Sequence, residues 1–271
     1  MDQLLRHLQN SHLYDLGQPY FTGMPHFPTH PPFLFGLTKQ HGDLILEGGV
    51  SSSADAIALG THVGTHIDAL CHFSCGGKVY GGTEARSNQS HTEGMKVLSV
   101  DKVAPIFRRG VLLDIAGNRE TALLPPDFTV TAEHLDRALK LQGVEIRPGD
   151  VVLLRTGWGS LWHDPVRYIT GGRGSQPTGP GPEREGAEWL SSRGIFAAGS
   201  DTIAFERVPS GMAVHVHLLV ENGIHIIEAL NLEELAADRV YEFLFVAIPL
   251  KFVGATGSPI RPVAIAAGRG A

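Results

Sequence analysis

Thr61-His62-Val63-Gly64-Thr65-His66-Ile67-Asp68-Ala69-Leu70-Cys71-His72 decides how the rest of the chain is read. Three imidazoles and one carboxylate fall within it, and Gly64-Thr65 interrupts the middle. Neutral imidazole nitrogens ligate zinc, manganese and iron, and a carboxylate adds the negative charge that a divalent ion favours. A straight strand would point His62, His66, Asp68 and His72 to one face, because all four share parity. At about 3.3 Å per residue it would also hold His62 and His66 roughly 13 Å apart, too far to share an ion. A helix brings positions i and i+4 together, but Gly64 and β-branched Thr65 suit a helix interior poorly. A bend at Gly64, where the missing Cβ lets the backbone fold tightly, resolves the conflict. The segment is therefore expected to be a bent, largely buried loop holding one or two divalent ions, Zn or Mn.

The rest of the chain is ordinary for a globular protein. It has 271 residues, 42% hydrophobic and 18% charged, enough for a substantial core in one domain spanning 1–271. A net charge of −6 without a basic run argues against a nucleic-acid surface. The longest apolar run, Phe243 to Leu250, falls far short of the roughly 18 residues a membrane span needs. Met1 to His7 is polar and amphipathic, unlike a signal peptide. The two cysteines, Cys71 and Cys75, read as free buried thiols in a reducing compartment rather than as a metal site. These features predict a cytoplasmic protein with a small-molecule substrate and neither nucleic acid nor membrane as partner.

A second group of candidate ligands lies in Val214-His215-Val216-His217-Leu218-Leu219-Val220-Glu221-Asn222-Gly223-Ile224-His225-Ile226-Ile227-Glu228. The pattern predicts a helix over 213–222 stopped by Gly223, then a strand over 224–229. On the helix His215 and His217 lie about 200° apart and cannot serve one ion together. His215 shares the inward side with Leu218, Leu219 and Asn222, which leaves His217 as the outward or interface residue and His225 exposed. Glu228 in an apolar strand needs a strong partner to stay charged, either a metal or a salt bridge.

Elsewhere, residues 2–10 read as a helix and 12–16 as a strand entering a proline-rich arm (about 18–33). The arm, with aromatic residues and histidines, Phe27 among them, interleaved with its prolines, is stiff and extended. It either hugs a neighbouring subunit or walls a pocket. Ile45, Leu46, Ile57 and Leu59 suggest two strands within 43–60. Strands are expected at 111–115, 151–158, 195–198, 241–248 and 260–266. Helices are expected at 131–141, between a Thr131 cap and a Gly143 stop, and at 184–193. Arg155 faces a pocket or, in the favoured reading, pairs with a surface acid. Asp201 supports the site from behind or simply caps a turn. The Gly/Pro-rich stretch at about 163–183 is the best candidate for an insertion or lid, and His91 is read as a surface residue.

The first stretch resembles the His-x-Gly-Thr-His-x-Asp-x-Pro-x-His signature of the cyclase family of metal-dependent hydrolases, which includes bacterial kynurenine formamidases and isatin hydrolases. Leu70 departs from it where the signature has proline. Loss of that ring frees one N–H and loosens φ. The second stretch resembles the family's His-x-x-Leu-Leu…Gly-Ile-x-Ile-x-Glu pattern. By that resemblance His215 and Glu228 stand at the second metal position, Asp68 bridges, and Phe27 replaces a substrate-stacking tryptophan. The resemblance also implies an α/β single domain around a mixed, partly barrel-like β-sheet with a few helices (a swivelling β/β/α fold) and a homo-oligomer, dimer or tetramer.

The expected reaction is hydrolysis of a C–N bond in a small amide, lactam or imide. His62, His66, Asp68, His215 and Glu228 are the metal ligands and His72 the proton shuttle, since imidazole ordinarily titrates near neutral pH. Two other readings use the same residues: a lactonase or cyclase acting on an ester or polyketide-like substrate, and a metal-stabilised binding protein without turnover.

Overall fold

The computed structural model describes residues 2–268. After a short helix α1 (Asp2–Gln9), the strands of three or more residues, in chain order, are β1 (Ser11–Asp15), β2 (Leu34–Lys39), β3 (Ala54–Ala58), β4 (His66–Asp68), β5 (Ile106–Asp114), β6 (Val151–Arg155), β7 (Ala197–Ser200), β8 (His225–Glu228), β9 (Glu242–Ala247), β10 (Gly257–Pro259) and β11 (Val263–Ala267). Nine of them form one curled, half-barrel sheet in the order β1-β11-β9-β5-β6-β7-β8-β4-β10. Its centre, β5-β6-β7-β8, is parallel and the flanks are antiparallel. The central strands are buried on both faces, which explains their unbroken aliphatic runs such as Val151-Val152-Leu153-Leu154.

Alternate side chains feed two cores. Leu112, Leu153 and Ile227 pack on one face with Phe243 and Phe245, while Leu113, Leu154 and Ile226 pack on the other. The second face is covered by α2 (Ala132–Gln142), α4 (Arg184–Ser191) and α5, a turn of α-helix (Ala213–His215) continued by a π-helical turn (Val216–Glu221). The sequence signals for α2 hold in detail. The Thr131 hydroxyl accepts from the His134 N–H, and Gly143 ends the helix in the left-handed region. Between α2 and α4 lies α3 (Pro165–Thr170), and α6 (Glu233–Ala237) follows β8.

Four expectations need correction here. Of the two strands expected within 43–60 only β3 forms there; its hairpin partner β2 lies earlier, at Leu34–Lys39, and Ile45 and Leu46 fall in the loop between them. Gly42, Gly48 and Gly49 all take positive φ there and break any strand. Leu34, Phe35, Leu37 and Ile57 on the hairpin are each more than half exposed. Arg155 pairs not with a surface acid but with buried Asp114 at 2.9 Å and half-buried Glu233 at 2.7 Å. His217 is buried rather than outward, because α4 packs on that side and Ser191 Oγ lies 2.8 Å from its Nε2. Cys75 is exposed, whereas Cys71 is buried as expected.

Candidate metal centre

Gly64 bends the chain at φ +66, and a Cβ there would meet the Tyr20 ring at 2.3 Å. Tyr20 Oη fastens the bend by bridging the carbonyls of Val63 and Thr65 at 3.0 and 2.9 Å. From His66 the chain is a strand and not a loop throughout. β4 is inserted between β8 and β10, whose backbones supply ladder bonds on both sides. The bend carries His62 back until its Nδ1 lies 2.7 Å from Asp68 Oδ1. On β4 the parity argument holds over a short span: Ile67 joins one core, while His66 and Asp68 face the helix-covered side, where α5 brings His215.

Five candidate ligands converge there. His66 Nε2 stands 3.5 Å from Asp68 Oδ1 and 3.4 Å from Glu228 Oε2. His215 Nε2 stands 3.2 Å from Glu228 Oε1 and 3.9 Å from Asp68 Oδ2. Donors bound to one ion at about 2.1 Å are about 3.0–3.4 Å apart; the two contacts to Glu228 match that range, the His66–Asp68 spacing is close to it and the His215–Asp68 spacing is wider. Asp68 Oδ2 is buried with no hydrogen-bond partner, an expensive state for an anionic oxygen unless a cation meets it. The outer contacts aim the ligands. His66 Nδ1–H donates to the Gly64 carbonyl at 2.8 Å, which leaves the Nε2 lone pair toward the cluster. His215 Nδ1 lies 2.8 Å from the Glu206 carboxylate, and His62 Nε2 lies 2.8 Å from Thr256 Oγ1. A carboxylate behind a ligating imidazole fixes its tautomer and raises its basicity.

Charge follows geometry. Burial opposes ionisation of Asp68, but the His72, His62 and His66 rings hold its carboxyl well below the usual carboxylate range. Burial likewise opposes a charged His215, yet Glu206, Glu228 and Asp68 raise its pKa to about 10. His72 behaves in the opposite way. Burial and the neighbouring imidazoles lower it to about 3, so it is neutral at pH 7 instead of titrating near it. Its ring stacks on His62 with centroids 3.8 Å apart, and among the described residues neither ring nitrogen has a hydrogen-bond partner.

His72 opens onto a 330 Å3 cavity walled by Phe27, Phe73, Ile203 and Met212, with His66, His215 and Glu228 at its polar end. The proline-rich arm thus lines the cavity through Phe27 and through His30, which sequence reasoning had not singled out. His30 Nδ1 donates to the His62 carbonyl at 3.1 Å. No residue of 163–183 borders the cavity; Tyr168 in that segment instead donates to the Asp201 carbonyl at 3.0 Å. Asp201 itself accepts from the N–H groups of Thr156 and Gly157 and from the Thr156 hydroxyl, the cap role, and burial raises its pKa to about 6.

Over residues 14–207 the sequence matches the Cyclase family model. The chain belongs to the cyclase family. An isatin hydrolase of Roseibium aggregatum is 28% identical over 214 residues, covering 77% of this chain and 73% of that protein. A kynurenine formamidase of Bacillus cereus is 26% identical over 256 residues, covering 94% of this chain and 98% of that protein. A solved structure described as a novel cyclase superposes with a TM-score of 0.85 at 29% identity, covering 97% of this chain and 91% of that one. The family match ends before His215 and Glu228, whereas the formamidase likeness runs over nearly the whole chain.

Glu206 and Thr256 were also missed. Glu206 precedes His215 by nine residues in an irregular segment, and no periodicity links them. Thr256 stands in the glycine-rich turn before β10, nearly two hundred residues from the His62 it meets, and no local pattern links the two. The strongest available signal was for His30, whose imidazole lies in the same stiff aromatic arm as Phe27.

Proposed function

We propose that this cyclase-family member is a metal-dependent amidohydrolase that cleaves the C–N bond of a small amide, lactam or imide. The observation that carries the reading is the convergence of His62, His66, His215 and Glu228 on Asp68, whose Oδ2 lacks a partner. His62, His66 and Asp68 would hold one ion, and His215 and Glu228, with Asp68, would hold a second. Zn and Mn both suit this imidazole–carboxylate set. A divalent ion supplies Lewis acidity, lowering the pKa of water toward 7 and polarising a carbonyl.

The chain's own groups do the rest. Neutral His72 offers a free nitrogen to accept a proton from the attacking water. The imidazolium so formed would return that proton to the leaving nitrogen. His30 favours an amide over an ester. Its Nδ1–H is committed to the His62 carbonyl, so Nε2 presents a lone pair that an amide N–H can satisfy and a ring ester cannot. Phe27 and Phe73 give an apolar wall for a flat ring. The names of the relatives, isatin hydrolase and kynurenine formamidase, point to a lactam and an N-formyl amide. Free Cys71 and Cys75 support a reducing compartment, the cytoplasm.

The test is elemental analysis of the purified protein, then a substrate panel with Zn or Mn restored. N-formyl amides and N–H lactams should turn over faster than their N-methyl and lactone counterparts. Preference for the lactones would move the activity to esters, and no turnover with a full metal complement would leave a binding protein.

A further inference from the structure

A second cavity, of 260 Å3, lies behind the metal strand. It opens on the face of β8 opposite Glu228, and none of the five converging ligands lines it. One wall is a stack of three side chains. The Arg108 guanidinium lies 4.0 Å over the Phe196 ring centre, and that ring is 5.4 Å from the His225 imidazole. Leu70, Val103 and Ile106 supply apolar surface, and no carboxylate lines the space.

His225, expected to be exposed, is only 8% so, because β8 is covered on both faces. Its Nδ1 lies 2.9 Å from the Asp68 carbonyl oxygen. A carbonyl only accepts, so Nδ1 carries the proton and Nε2 carries a lone pair. Among the described residues Nε2 makes no hydrogen bond, and because His225 lines the cavity a donor seated there meets that lone pair. Arg108 donates through Nη1 to the Gly149 carbonyl at 3.3 Å, which leaves further N–H groups free for a carboxylate.

We propose that this cavity binds a small aromatic carboxylate that also carries an amino or hydroxyl donor. The carboxylate pairs with Arg108, the ring lies along Phe196 and the aliphatic wall, and the donor meets His225 Nε2. A cavity of 260 Å3 accommodates one substituted ring and little more, near the lower end of ligand pockets, about 300 Å3. The ligand is one hydrogen bond removed from the backbone of Asp68, so it bears on the metal strand from behind without entering the substrate cavity. The site is independent of the reaction assigned above.

The experiment is calorimetric titration of the metal-loaded protein with 2-aminobenzoate and with benzoate. 2-Aminobenzoate should give a saturable event that Arg108→Gln weakens by about tenfold or more, with metal content and turnover in the absence of ligand unchanged. Benzoate, lacking the donor, should bind about tenfold more weakly. An event that is unaltered in Arg108→Gln places the carboxylate elsewhere and overturns the proposal, as do equal affinities for the two ligands. His225→Phe should abolish the difference between them. Where that buried substitution prevents folding, Arg108→Gln and the ligand comparison decide alone.

Discussion

His215 is the proposed ligand whose ionisation a metal would have to undo. In the metal-free chain burial disfavours its charge, but Glu206, Glu228 and Asp68 hold its pKa near about 10, above the ordinary 6.5. The folded state therefore keeps this proton where the unfolded chain releases it. The associated stability is fully present below pH 6.5 and is lost as pH rises through about 10. Metal uptake must expel the same proton, so apparent affinity should climb by up to about tenfold per pH unit between roughly 7 and 9. Competition with a chelating dye at three pH values in that range measures the slope, and a flat response would remove His215 from the coordination. His72 is tested differently, because it also sits close enough to His62 and Asp68 to be a ligand. His72→Ala should keep its metal by elemental analysis while turnover falls about 10²–10⁴-fold. Loss of metal in that variant would exchange the role of proton carrier for that of ligand.

β4 and its two neighbours form the element on which the centre depends. At Gly257 in β10 a Cβ would lie 2.5 Å from His62 Cε1. Gly257→Ala should therefore push the ring off Asp68 and weaken metal binding by about 10–100-fold, with the far-ultraviolet circular dichroism unchanged. Full occupancy in that variant would show that His62 is not required. Much at this scale was legible in the sequence. Thr131 and Gly143 delimit α2, and the aliphatic runs mark β5 and β6. The bend at Gly64 follows from the conflict between parity and ligand spacing. What escaped reading depends on contacts between distant segments. Three residues of β4 become a strand only because β8 and β10 flank them. Parity along β8 placed His225 in solvent, an inference that fails where a strand is covered on both faces. His217 was misplaced for a similar reason, since α5 is packed on two sides.

At the scale of the whole molecule the β2–β3 hairpin stands out, with Leu34, Phe35, Leu37 and Ile57 open to solvent. A two-stranded ribbon is marginally stable by itself in water, and apolar side chains gathered on one mark an interaction surface. A homo-oligomer buried through this hairpin is the expected state. Light scattering should give a multiple of the 29.1 kDa chain, and replacing Phe35 and Ile57 by Lys should reduce it to the monomer. A monomeric wild type would leave the hairpin without that role. The order of the sheet has a further consequence, for biosynthesis. The strand bearing His66 and Asp68 is bracketed by 225–228 and 257–259, and Thr256 reaches His62. A ribosome that has translated only the signature stretch has made His62, His66 and Asp68 but neither His215 and Glu228 nor the strands that flank β4. Ion capture must wait until nearly all of the polypeptide has emerged, so a product arrested before residue 256 should be recovered metal-free even when zinc or manganese is plentiful.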